Sequence, residues 1–494
     1  MAEIAMGDLP RHHRDRKPKD APMLTHPEGV LSWAAMEDRA NRRAKLLREA
    51  GVKSGDFVTL SIPNGNAFFE NTFAIWKLGA TPNPVASKLP GGEFKAIVDL
   101  VKPSVVVGAD PSLLPGAKIV PAEADLQGYD PSPVLETPAT NWKGMTSGGS
   151  TGRPKVIVDH RPAQWDPEAP GFGQRPDGVV LNPGPLYHNA PFGLTHIAIF
   201  CGSHIVGMRR FDPAEAMSLI QKHRVNWVNM VPTMMHRIWS LPDRESYDVS
   251  SLEQVWHMAA PMPPALKEQW IGWLGGERIW ELYGGTEGQG ATILNGLEWM
   301  QKRGSVGRIQ GDSRLRVVNE AGENCKPGEV GEIYFWAAAG PGTTYHYLGA
   351  EPKSRDEGWE SIGDIGWMDE DGYVFLADRR TDLILRGGAN IYPAEVEAAL
   401  YEHPGVGTAV VVGLPDADLG ARVHAIVQPK PGLKLTPSDL QTHMADKLAR
   451  YKCPDSYEFS SEMLRDDAGK VRRSLLRAER AKWLEEGKEF RVRP

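Results

Sequence analysis

The chain has 494 residues, 41% hydrophobic and 24% charged, with 56 basic against 63 acidic side chains for a net charge of −7. That is the composition of an ordinary globular protein too long for one core, so about two to four domains are expected. The mild acidity leaves no basic footprint for nucleic acid, and no run of about 18 apolar residues offers a membrane span.

Three scattered cysteines, Cys201, Cys325 and Cys453, form no CxxC pair and no zinc spacing. They read as reduced packing residues of a cytoplasmic protein. The basic stretch His12–Lys17 runs into Lys19, Asp20 and Pro22 rather than an apolar run, so it does not read as a secretory signal.

In chain order, residues 31–51 predict a helix with Gly51 as its C-cap. Val58–Ile62 alternates as a strand does. Ala67–Leu78 reads as an apolar helix, and Gly79–Pro84 ends it. Val105–Val107 is a short buried strand. Up to about residue 280 the rhythm is strand, turn, helix, which implies parallel sheets covered by helices. Ligand sites in such sheets lie at loops beyond the carboxyl ends of strands.

Thr146-Ser147-Gly148-Gly149-Ser150-Thr151-Gly152-Arg153-Pro154-Lys155 is the most informative stretch. Glycines let backbone N–H groups approach an anion, hydroxyls add donors, and Lys155 adds charge. It can be a triphosphate cradle or a flexible Gly/Ser linker. It is not a Walker A loop, because no Gly-Lys-Ser/Thr closes it and Val156-Ile157-Val158 continues as a strand.

Gly184–Gly193 then places Tyr187 and His188 at the start of an apolar helix. Val225–Val231 alternates, and His257-Met258-Ala259-Ala260-Pro261 ends the next apolar run, its small residues leaving room near a ligand. Tyr283-Gly284-Gly285-Thr286-Glu287 offers a ring for a purine face, a hydroxyl for phosphate and a hard oxygen for Mg²⁺. From Gly304 onward, short strands at Leu315–Val318 and Val330–Phe335 suggest an antiparallel subdomain. Gly363-Asp364 offers a carboxylate that can hold two vicinal hydroxyls. After Asp378–Glu397 come a helix at Pro393–Tyr401, strands at Val406–Val412 and Val423–Val427, and a helix at Leu440–Leu448. Gly469-Lys470 follows near the end.

The loop at 146–155 resembles the phosphate loop of the acyl-adenylate-forming superfamily of acyl-CoA synthetases, luciferases and peptide-synthetase adenylation domains. Four further motifs stand in that superfamily's order, and the resemblance spans about residue 30 to residue 475. It implies an α/β fold. A large N-terminal domain, 1–380, would combine parallel-sheet α/β subdomains with an antiparallel β subdomain. A small mobile α+β domain, 381–494, would carry the catalytic lysine. It also implies ATP, Mg²⁺ and coenzyme A as cofactors.

By that resemblance Thr146, Ser147, Gly148, Gly149, Ser150, Thr151 and Lys155 hold phosphates, with Thr286 beside them. Tyr283 meets adenine, Asp364 meets ribose, Arg379 meets ribose or phosphate, and Glu287 takes the metal. His188, Ala259, Ala260, Gly284 and Gly285 border the acid. Lys470, Thr286, Glu287 and His188 serve catalysis, and Gly387 and Gly388 approach the pantetheine arm. At the hinge, where the superfamily usually has Asp or Lys, this chain has Thr381, with Asp382 next to it.

The implied reaction is attack of a carboxylate on the α-phosphorus of ATP, then displacement of AMP by a thiol. A faint likeness of Trp76–Pro84 to ligases of steroid, bile and polycyclic terpenoid acids points to a bulky apolar acid. Medium-chain fatty or aryl acids are the alternative, and so is a stand-alone enzyme that loads a carrier protein. A γ-phosphoryl transferase would need the Walker or kinase signatures that are missing. A luciferase-type oxygenase shares the first half-reaction. A homodimer is expected from the superfamily.

Overall fold

The computed structural model describes residues 3–148, 154–169, 171–466 and 469–492. Gly149, Ser150 and Thr151 therefore lie outside the described residues.

The main sheet carries parallel strands Val179–Asn182, His204–Gly207, Trp227–Met230, Gln254–His257 and Ile279–Gly284. Strands Ala291–Asn295 and Arg308–Ile309 close one edge antiparallel, and the hairpin Pro22–His26/Gly29–Ser32 closes the other. One face packs on the helices Trp33–Glu49, Asn66–Lys77 and Asn189–Phe200. The opposite face packs on Pro213–His223, Pro232–Trp239 and Pro264–Leu274. Asn66–Lys77 is buried along its whole length, with Phe68, Phe69, Phe73 and Trp76 inside. Each such side chain contributes about 1.5–3 kcal/mol when fully buried. Phe73→Ala would leave a cavity costing about 3–5 kcal/mol.

A second parallel sheet runs Thr81–Pro84, Phe57–Leu60, Val105–Val107, Ile119–Val120. The helix ends before Gly79 as the sequence suggests, and Thr81-Pro82-Asn83-Pro84 then forms a strand in register with Phe57–Leu60. It sits at the sheet edge, where a proline's missing N–H costs no ladder bond.

The antiparallel β subdomain is present, with Gly331–Trp336 paired to Arg314–Val318, Trp359–Ser361 and Asp364–Met368. Val374–Arg379 continues it. Beyond it, the small hairpin Ile384–Arg386/Ala389–Ile391 leads into the sheet Val406–Asp416, Gly420–Pro429, Ser456–Phe459. The first two of those strands are longer than the apolar runs predict, because their polar ends still pair to Asp416↔Gly420. Ile384, Ile391 and helix Pro393–Tyr401 pack on one face of this sheet, and Leu464 and Val471 pack on the other. The glycine turn and the lysine loop thus belong to opposite faces of one small sheet.

Candidate functional site

Strand Gly144–Gly148 pairs antiparallel with Pro154–Asp159, Ser147 opposite Lys155 and Gly148 opposite Pro154. Thr146 Oγ1 accepts from Asn83 Nδ2 at 3.2 Å, which ties this strand pair to the edge strand Thr81–Pro84. Lys155 Nζ lies 3.3 Å from Glu287 Oε1 and 3.9 Å over the Tyr347 ring. Tyr347 Oη donates to the same Glu287 oxygen at 2.6 Å. Thr286, half-buried, stands in the turn just before Glu287. A Cβ on Gly285 would come within 2.6 Å of Glu287 Oε2, so glycine there lets the carboxylate fold back.

Tyr283 ends the strand Ile279–Gly284. Its ring packs on Phe335, and its hydroxyl donates to Asp364 Oδ2 at 2.8 Å. Arg379 Nε stands 3.3 Å from Asp364 Oδ1, across the paired strands. Burial raises the Asp364 carboxyl, and Arg379 works against that rise. Burial, with Asp364 beside it, lifts the Tyr283 phenol well above its ordinary value.

On the acid side, His188 precedes the helix Asn189–Phe200 in extended conformation. Its buried Nε2 has no hydrogen-bond partner and lies 3.9 Å from Asp466 Oδ2. Desolvation, then Lys470, press its pKa down to about 3, so the ring is neutral at pH 7. Ala259 holds φ +73, a left-handed strain for a residue with a Cβ, and Ala260 is half-buried behind it. Gly284 backs onto Gly290 O, which an added Cβ would meet at 2.9 Å. Trp256 and Trp280, opposite each other on adjacent strands, stack at 5.3 Å and 18°, and Trp227 stacks on Trp256 at 6.5 Å. These indoles belong to the sheet face that also packs on Asn189–Phe200, and Trp280 stays half-open there.

Lys470 comes from the far end of the chain. Its loop folds back on itself, with Lys470 N donating to Asp466 Oδ1 at 2.8 Å and Gly469 N donating to Asp466 O at 2.8 Å. The lysine is exposed. Desolvation, then Arg379, lowers its pKa, and Asp466 and Glu287 oppose this. The loop thus brings Lys470 into the electrostatic reach of Glu287 and Arg379, about 180 and 90 positions earlier in sequence.

Gly387 and Gly388 form the turn of the hairpin Ile384–Arg386/Ala389–Ile391, with φ +53 and +82. Gly387 N donates to Leu419 O at 2.8 Å, so this turn meets the tip of the long hairpin. The structure does not bring them to Lys470.

Residues 11–348 match the AMP-binding enzyme family, and residues 395–470 match the AMP-binding enzyme C-terminal domain. The chain belongs to the family of AMP-binding enzymes. It is 31% identical over 480 residues to a feruloyl-CoA synthase of an Amycolatopsis species, covering 94% of this chain and 97% of that one. It is 28% identical over 474 residues to a long-chain-fatty-acid–CoA ligase of Mycobacterium tuberculosis, covering 90% and 92%. Among solved structures, an anthranilate CoA ligase in complex with anthranoyl-AMP superposes with a TM-score of 0.83 at 21% identity, covering 97% of each chain. That likeness carries the fold. This AMP-binding enzyme is accordingly an AMP-forming acid–thiol ligase of the acyl-CoA synthetase superfamily. Among the described residues no helix is long and apolar enough to cross a membrane.

Sequence reading missed several residues of this AMP-binding enzyme's cleft. Tyr347 carries no motif and reaches Glu287 only through the pairing of Tyr345–Leu348 with Pro154–Asp159. Lys143 is buried, donates to Asn189 Oδ1 and lies 3.6 Å from Asp159. Desolvation lowers its pKa to about 7. Asp466 signalled nothing beyond ordinary turn chemistry.

Proposed function

We propose that this enzyme joins a bulky apolar carboxylic acid to coenzyme A through an acyl-adenylate, with residues 1–380 as the adenylation domain and 381–494 as a domain that turns about Thr381. The carboxylate attacks the α-phosphorus of ATP and pyrophosphate leaves. The thiol of coenzyme A then adds to the acyl carbon, gives up its proton, and AMP departs. The observation that carries this reading is Lys470, set by a loop of the C-terminal domain facing Glu287 and Arg379.

Thr146, Ser147, Gly148, Gly149, Ser150, Thr151, Lys155 and Thr286 would hold the triphosphate. Tyr283 would meet adenine with the ring face that Phe335 leaves free, and Asp364 and Arg379 would take the ribose. His188, neutral and without a hydrogen-bond partner, would border the acid together with Ala259, Ala260, Gly284 and Gly285. Lys470 would bridge carboxylate and ribose and offset the repulsion between two anions as the bond forms. Holding the attack in line in this way can supply up to about 7–11 kcal/mol.

Magnesium fits Glu287. One buried carboxylate suits an ion that takes few protein oxygens and completes its shell with phosphates and water. Bound with ATP, it would neutralise charge on the phosphates. The thiol step needs Lys470 withdrawn, and the two faces of the small C-terminal sheet make that exchange geometrically simple. Turning the domain would retire the face bearing Leu464 and Val471 and present the one bearing Gly387 and Gly388.

A second reading of the acid is favoured by the stacked indoles of Trp256 and Trp280, which suit a flat ring, and by the relative named a feruloyl-CoA synthase. One experiment tests both. Pyrophosphate release and product mass are followed with ATP, Mg²⁺, coenzyme A and acids from octanoate through benzoates and cinnamates to diterpenoid and bile acids. AMP and a thioester with a polycyclic acid support the first reading, and the same products with aryl acids support the second. ADP as product would overturn adenylation itself.

A further inference from the structure

Lys470 is held firmly to its own domain. Arg465 Nη1 donates to Gly469 O at 3.1 Å, and Arg465 Nη2 reaches Glu397 Oε2 at 3.1 Å. The loop's hold on the opposite wall is thin. Gly469, at φ +72, nestles against Val231 and Thr233, where an added Cβ would stand 2.8 Å from Thr233 Oγ1. Two residues past the lysine, Arg472 reaches across to Glu93, with Nη1–Oε2 at 3.2 Å and Nη2–Oε1 at 3.4 Å. This is a two-pronged guanidinium–carboxylate pair between residues 379 positions apart.

Glu93 lies in the first turn of the helix Gly91–Val101. That helix buries Phe94, Ile97 and Val101 against Val156 and Val158, in the strand that begins with Pro154 and Lys155. Arg472 therefore grips the same packed unit that carries Lys155, so the pair sets one cationic side chain of the cleft relative to the other. We propose that Arg472 and Glu93 are a positioning pair, a strap that seats Lys470 for adenylate formation and must let go before the thiol step. The proposal rests on the reading that Lys470 serves adenylation. Both side chains are partly exposed, at 57% and 29%, which suits a contact made and broken in every turnover. An exposed pair adds little to folding, yet a small bias suffices where two domain positions are close in energy.

The test uses Arg472→Gln, Glu93→Gln and the reversed pair Arg472→Glu/Glu93→Arg in the full chain. In ligand-free enzyme, hydrogen exchange of residues 91–95 and 469–473 is expected to speed up together in either single variant and to recover in the reversed pair. With ferulic acid, or the best acid of the panel above, adenylate formation is expected to fall about two- to fivefold. Thioester formation from presynthesised acyl-adenylate is expected to hold or rise. Equal loss in both half-reactions, or exchange that changes only on the mutated side, overturns the strap. Lys470→Ala runs alongside. If it leaves adenylation intact, the role of Lys470 fails, while the exchange data still decide the strap.

Discussion

The two walls of the cleft are held in different ways. On the N-terminal wall the groups around the nucleotide motifs pair within one body, Lys155 and Tyr347 with Glu287, and Tyr283 and Arg379 with Asp364. On the C-terminal wall the lysine loop is braced from behind. Arg473 bridges Asp382 at 2.8 Å and Glu397, and Arg465 shares Glu397. Two contacts that cross between the walls are exposed or long, His188–Asp466 at 3.9 Å and Arg472–Glu93. The difference shows how labour is divided. Buried ion pairs shape each wall, and weak contacts choose how the walls meet.

The largest expected effect comes from breaking the brace. Arg473→Ala leaves Glu397 and Asp382 short of a partner in a buried network and should cost about 3–5 kcal/mol in denaturant unfolding. A loss under about 1 kcal/mol would mean that Arg465 alone suffices.

Next comes Lys470→Ala, which removes the side chain offered across the cleft. Adenylate formation should fall at least about a hundredfold, near 3 kcal/mol, with thermal stability nearly unchanged. Comparable loss in the thiol step measured from presynthesised adenylate would blur the contrast between the walls.

A smaller effect sits between the walls. Burial pushes the Asp378 carboxyl up from 3.8 to about 6, although Arg473 and the N–H groups of Ala394 and Arg379 pull it down. The folded state therefore holds the proton more tightly than the unfolded one. This contribution to stability is lost as pH rises through about 4 to 6. Asp378→Asn should be more stable than the parent at pH 8 by about 2 kcal/mol, and the gap should close toward pH 4. A gap independent of pH would assign the gain to something other than the carboxylate's charge.

The smallest concerns the N-terminal wall alone. Tyr347→Phe removes the hydroxyl that orients Glu287 and should raise the Mg²⁺ concentration for half-maximal adenylation about tenfold. An unchanged requirement would make Tyr347 a packing residue.

These residues also mark how far the sequence could be read. Tyr283–Glu287 and Gly363-Asp364 were legible as turns because glycine chemistry at a strand end is local. The parallel rhythm was legible from short apolar runs. The strand Thr81–Pro84 was not, since its prolines speak for a turn until the sheet edge is known. Tyr347 and Lys143 depend on pairing between distant strands. Glu93 and Arg472 are ordinary surface charges until the fold brings them together. The glycine turn at Gly387 and Gly388 was visible as a turn, but which face of the sheet carries it was not.

The pairing of Lys155 with Glu287 has a consequence for what may enter. The two charges cancel in the ligand-free cleft, so the loop base is not a bare trap for anions. A lone polyanion that captured Lys155 would strip Glu287 of its counter-charge and strand a carboxylate only 8% exposed. A nucleotide that arrives already carrying a divalent cation answers both partners at once. On the proposed reading, the cleft would discriminate by charge balance, favouring a metal-complexed nucleotide over free phosphate, pyrophosphate or uncomplexed ATP.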